Sequence, residues 1–138
     1  MYVAADVSNN PDAIFVRWES FDEGRVKMVG RPDAPGQYVE LEGTPDLILE
    51  IVSNSSVKKD TQELREAYHR AGVPEYWLVD ARKEQIEFHV LQHRKSKYFP
   101  TKRKEGYHWS NVFARLFRLE RSRGRRNLCR YRLHVRED

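Results

Sequence analysis

The stretch that most restricts what this chain can fold into is residues 45–53, PDLILEIVS, an apolar run that keeps two carboxylates, Asp46 and Glu50. Side chains alternate along a strand, so Asp46, Ile48, Glu50 and Val52 share one face and Leu47, Leu49 and Ile51 the other. Apolar residues on both faces predict an interior strand covered on both sides. At about 3.3 Å per residue, Asp46 and Glu50 lie on the order of 13 Å apart, too far to chelate one ion directly. A glutamate between Leu49 and Ile51 is costly to bury unpaired, so Glu50 must meet a partner from another element or point into a cleft. Asp46 follows a proline and has the alternative of satisfying backbone N–H groups in a turn.

The neighbouring segments give this strand its context. Residues 53–56 supply N-cap candidates, and Val57, Leu64, Ala67, Tyr68 and Ala71 recur at helical spacing until Gly72 and Pro74, which predicts one helix over about residues 57–71. EYWLVD (75–80) and IEFHVLQ (86–92) read as strands paired in a hairpin. DAIFVRW (12–18) reads as a short strand after the Asn9-Asn10-Pro11 turn signal. The glycine- and proline-rich stretch that follows it predicts hairpin and loop, with short strands near residues 25–29 and 38–41. Trp109, Val112, Phe113, Leu116 and Phe117 form an amphipathic segment suited to docking on the core. YRLHV (131–135) alternates as an edge strand would.

At 138 residues, 39% hydrophobic and 33% charged, the chain has the size and composition of one globular domain. A single cysteine, Cys129, excludes an internal disulfide and a CxxC zinc site, which points to a reducing, cytoplasmic setting. No stretch approaches the roughly 20 apolar residues of a membrane span, and the first residues carry no targeting pattern, so no membrane association is expected. The net charge of +4 hides an asymmetry: residues 1–90 hold 10 Lys+Arg against 17 Asp+Glu, residues 91–138 hold 15 against 4. A basic half of this kind is either a footprint for nucleic acid or a solvated face.

Asp12, like Asp46, follows a proline and stands at the start of a strand. If its strand lies beside residues 46–53, Asp12 and Glu50 come within reach of one hard divalent cation, leaving positions for water and a phosphate oxygen. Two carboxylates plus such a metal make a hydrolytic site.

Pro11-Asp12, then PDLILEIVS, then a helix ending in Tyr68 and Ala71-Gly72-Val73, then EYWLVD occur in an order that resembles the Uma2 family of endonucleases, with the PD-(D/E)XK restriction-endonuclease-like fold. The resemblance spans roughly residues 3–120 and is densest over 45–80. It implies an α/β (α+β) fold with a mixed central β-sheet flanked by helices, and hydrolysis of DNA phosphodiesters with Mg2+ or Mn2+. By position it makes Asp12 and Glu50 the metal-binding carboxylates, with Asp46 as a companion ligand. DNA is the partner it implies, and a homodimer the candidate assembly. Lys58, Lys95, Lys97, Lys102, Arg103 and Lys104 are the candidate nucleic-acid contacts.

Two departures accompany the resemblance. Val52 stands where the motif has its lysine, two residues after Glu50 on the same face. Leu64 stands where a helix lysine serves instead, which leaves Lys58 and Lys59 as ammonium candidates, Lys59 as the catalytic one. The family also carries a helix and strands before the first Pro-Asp, and this sequence starts close to that point, as a shortened domain would. The alternative function is a nuclease fold that binds nucleic acid without cutting it, or an inactive fragment.

Overall fold

The computed structural model describes residues 2–4, 7–8, 10–55 and 62–138. The described chain runs β1 (Tyr2–Ala4), β2 (Val7–Ser8), β3 (Ala13–Phe15), α1 (Trp18–Asp22), β4 (Val26–Arg31), β5 (Ala34–Gly43) and β6 (Leu47–Val52). It continues through α2 (Leu64–Arg70), β7 (Glu75–Asp80), β8 (Glu87–His93), β9 (Tyr98–Pro100), β10 (Arg103–Lys104), β11 (Tyr107–Ser110), β12 (Arg115–Arg123) and β13 (Cys129–Arg136). The strands form three sheets, ordered β2-β1-β5-β4, β3-β6-β7-β8-β9 and β10-β11-β12-β13.

The second of these sheets is mixed and forms the centre of an α+β fold. β6 and β7 are parallel, in register from Leu47↔Glu75 to Val52↔Asp80. Parallel neighbours need a crossover, and α2 provides it. β3 pairs antiparallel with β6, and β8 with β7, so the expected hairpin of residues 75–92 is present. β7 is the strand buried at every position. β6 is interior to the sheet but buried less evenly: its second face passes from buried Leu47 to Ile51, which is 50% exposed.

Each face of this sheet has its own core. On the α2 face, Ile48, Val52, Leu64, Tyr68, Val73, Tyr76, Leu78, Leu91 and Tyr98 pack together. Leu64 and Tyr68 are the buried residues of α2, and each aliphatic side chain removed from water here contributes roughly 1.5–3 kcal/mol. On the opposite face Leu47, Trp77, Val79, Phe88 and Val90 pack against Phe117 of β12, with Val112 and Phe113 at the margin. The amphipathic segment around residues 109–117 does dock on the core, but as two strands joined by a turn. The sheet is thus flanked by a helix on one face and by a β-hairpin on the other, within the expected α+β class.

Two glycines are required by the backbone. Gly72 adopts φ +78 and closes α2, donating to His69 O at 3.0 Å while Val73 N–H returns to Tyr68 O at 3.1 Å. Gly43 has φ +122, and a Cβ there would sit 1.9 Å from Arg25 O, so the β4–β5 hairpin closes only without a side chain. The predicted helix of residues 57–71 is observed as Leu64–Arg70, and its expected first turn falls outside the described residues. The predicted strand of residues 12–18 is shorter, Ala13–Phe15, because α1 begins at Trp18. β13 is an edge strand, as the YRLHV alternation requires.

Candidate active site

The β3–β6 ladder runs Ala13↔Leu49, Ile14↔Ile48, Phe15↔Leu47. The ladder ends at Ala13↔Leu49, and Asp12 precedes it at a bend. The Asp12 carboxylate still reaches β6: its Oδ2 accepts the Ile51 N–H at 2.7 Å. Asp12 itself is exposed, at the mouth of an open cleft of about 530 Å³ that Glu40 and Leu41 of β5 also line.

Glu50 lies on the α2 face with Ile48 and Val52 and is only 5% exposed. The Tyr68 hydroxyl donates to its Oε1 at 2.7 Å, so the helix that covers the strand also orients the carboxylate. This is the partner that the cost of burying Glu50 demands.

Asp46 is equally buried but belongs to a different structure. Its Oδ2 accepts the Arg17 N–H and the Ser20 hydroxyl, each at 2.8 Å, and Arg25 lies 3.5 Å from Oδ1. Both oxygens are committed to α1 and the strand that follows it. In this arrangement Asp46 ties α1 and Arg25, which precedes β4, to the start of β6. Among the described residues no group of three or more His, Cys, Asp or Glu side chains is arranged to hold a metal ion. The donor set is a carboxylate pair. Mg2+ commonly binds through one or two carboxylates while keeping several waters, so Asp12 and Glu50 fit it in chemistry and number.

Val52 is 4% exposed and Leu64 8%, both within the α2-face core. Lys58 and Lys59 lie outside the described residues. A cation does stand on this face: Arg65 of α2 lines a cavity with Val52, Leu78 and Asp80, and donates to Tyr98 O at 3.1 Å.

The candidate nucleic-acid contacts divide between two turns. Lys95 and Lys97 are exposed on the β8–β9 turn, where Lys97 stands 5.2 Å over Phe99 and shares a cleft with Arg65 and Arg70. Lys102 and Lys104 both pair with Asp138, at 2.8 and 3.1 Å, which neutralises part of the charge assigned to them. Arg103 is exposed between them.

Three groups escaped sequence reasoning. Glu75, 1% exposed, accepts the Trp77 indole N–H at 2.8 Å, the Ser110 hydroxyl at 2.6 Å and the Asn111 N–H at 2.8 Å. It fastens β7 to the β11–β12 hairpin. Its signal was the Glu-x-Trp spacing, which places both side chains on one strand face. Asp80 closes β7 with a bidentate Arg82 contact that lowers its pKa to about 2. Glu40, beside Asp12, was signalled only by the V-E-L-E alternation of β5.

A mixed sheet with a helical crossover between β6 and β7, with Glu50 buried on β6 and Asp12 bonded to the neighbouring Ile51, defines an α+β protein. The family model Uma2, described as "putative restriction endonuclease", matches residues 3–121, and the chain belongs to that family. No curated protein matches the chain at a significant level.

Proposed function

We propose that this chain is a metal-dependent endonuclease that hydrolyses DNA phosphodiester bonds, with Asp12 and Glu50 as its reactive carboxylates. The observation that supports the reading is the Asp12–Ile51 hydrogen bond, which holds an exposed carboxylate against the residue next to Glu50. Mg2+ or Mn2+ held by the pair would supply a water of lowered pKa and neutralise charge on phosphorus. The chain's own groups prepare that position. Ile51 N–H fixes the Asp12 rotamer, Tyr68 fixes Glu50, and the open cleft beside Asp12 gives a backbone phosphate room to approach. Arg65, on the face where the motif has its lysine, is the guanidinium available to a phosphate oxygen. A cytoplasmic location follows from the free thiol and the DNA substrate.

The test is incubation of the purified protein with supercoiled plasmid and Mg2+ or Mn2+, with Glu50→Ala run beside it. Nicking by the unmodified protein, lost in the variant, is expected; equal nicking by both contradicts the reading. A specific observation favours a second reading. Val52 and Leu64 both pack in the apolar core, so neither motif position carries an ammonium, as suits a nuclease fold retained for binding alone. Salt-sensitive DNA binding without cleavage under either metal would select it.

A further inference from the structure

We infer that the β12–β13 hairpin is a ribbon that grips duplex DNA through its arginine-bearing tip, an assignment that rests on the DNA substrate proposed above and names the surface that holds it. β12 and β13 stay in register over eight pairs, from Leu116↔Arg136 to Arg123↔Cys129. The base of the ribbon is fixed to the body. Phe117 and Leu119 pack on the central sheet, and the Arg121 guanidinium donates to Ala81 O at 2.9 Å, to Lys83 O at 2.5 Å and to Glu84 O. Beyond that clamp every residue from 122 to 130 except half-buried Gly124 is exposed.

The tip is built rather than loose. Gly124 N–H donates to Leu128 O at 2.7 Å and Leu128 N–H to Arg125 O at 3.1 Å. The Arg123 guanidinium donates to Asn127 O at 3.1 Å. Arg126 and Asn127 complete the turn with φ of 56 and 59. The Arg130 side chain lies against Gly124, where a Cβ would meet it at 3.2 Å.

Charge changes along the ribbon. Near its base the cations have counterions: Arg115 with Glu137, Arg118 and His134 with Glu120, Arg136 with Glu105. Residues 121–136 contain seven arginines and no carboxylate, and among the described residues Arg125, Arg126 and Arg130 form no ion pair. Three uncompensated guanidiniums on a rigid turn suit phosphate oxygens, which a guanidinium fork matches in geometry. A two-stranded ribbon also suits the roughly 12 Å width of a DNA major groove. The family match ends at residue 121, where the exposed part of the ribbon begins. Leu128 is the exposed aliphatic side chain of the tip, and Tyr131, Leu133 and Val135 are exposed further along β13, so a membrane contact is the competing outcome that the experiment separates.

The experiment compares the full chain with the triple variant Arg125→Ala/Arg126→Ala/Arg130→Ala. Fluorescence anisotropy of a labelled 20-base-pair duplex is followed from about 50 to 200 mM salt in EDTA, so that no cleavage is needed. Each lost phosphate contact removes about 0.9 from the slope of log K against log salt. The variant is expected to bind at least tenfold more weakly, with a slope smaller by about 2 to 3, and to melt at an unchanged temperature because the three side chains are exposed. Unchanged affinity and slope would overturn the assignment. So would equal loss of binding to phosphatidylserine vesicles, which would make the tip a general anion or membrane contact. A protein that cuts no plasmid but still loses duplex binding in the variant contradicts the nuclease reading while supporting the ribbon.

Discussion

At the scale of single residues, the two buried glutamates of the central sheet have opposite duties. Glu75 is surrounded by donors from β7 and β11 and holds the architecture. Glu50 takes the Tyr68 hydroxyl, and the residue after it donates its N–H to the exposed Asp12. Glu75→Ala leaves a hydroxyl, an indole N–H and a backbone N–H buried without an acceptor, at roughly 1–3 kcal/mol for each group stranded. A stability loss of about 3 kcal/mol or more by urea titration is expected, with Glu75→Gln milder. Tyr68→Phe removes one donor from Glu50 and should cost about 1–2 kcal/mol. If Tyr68 positions Glu50 for catalysis, that variant also lowers kcat with KM for DNA unchanged. Glu50 stood out in the sequence because a carboxylate in an apolar strand violates the usual burial rule and demands an explanation, whereas Asp12, exposed ahead of β3, stood out only by its Pro-Asp position. Asp46 violated the rule as well, and the sequence could not show that its partners were Arg17, Ser20 and Arg25, from the end of a segment read as a strand and the loop-like stretch after it.

Among elements, α2 carries the most consequence for its length. Its seven described residues close the β6–β7 crossover, seat Leu64 and Tyr68 in the core and present Arg65 to the cavity beside Val52. Leu64→Ala should destabilise the chain by roughly 2–4 kcal/mol, as large-to-small core changes do, measured as a shift of the urea midpoint at constant slope. Leu64→Lys, which restores the motif's helix ammonium, would bury a charge in that same core. The elements visible in the sequence were those with a clean period: β6, β7, β8, the helix before Gly72 and the β13 edge. What period alone could not settle was residues 109–117. Spacings of three and four suggested a helical face, yet Glu75 and the Ser110 turn draw this stretch into β11 and β12. Tertiary hydrogen bonding overrode local pattern there.

For the whole molecule, the charge asymmetry of the sequence becomes a spatial one: the strands β6, β7 and β8 carry carboxylates and no Lys or Arg, and the β12–β13 ribbon carries most of the arginines of residues 91–138. Acid sensitivity follows from two groups. Burial, with Arg103 and His89 nearby, lowers His108 from 6.5 to about 4. The folded chain therefore holds His108 neutral where the unfolded chain would protonate it, so stability falls as pH drops from about 6.5 to 4. Asp80, lowered from 3.8 to about 2 chiefly by its Arg82 hydrogen bond, adds a second loss below pH 3.8 as it is protonated. Urea midpoints measured at pH 7.5, 5.5 and 4.5 should decline in the unmodified chain, and decline less in His108→Gln. Equal declines in both proteins would count against His108 as the source of the upper window.

Asp12 and Glu50 are proposed to form one cation site. Mn2+ titration followed by electron paramagnetic resonance tests this without requiring turnover, using the unmodified chain, Asp12→Asn and Glu50→Gln, each first verified as folded by circular dichroism. A single Mn2+ site in the unmodified chain, weakened at least tenfold by either substitution, is the expected result. Mn2+ binding of the same strength in all three proteins, or in none, would contradict it.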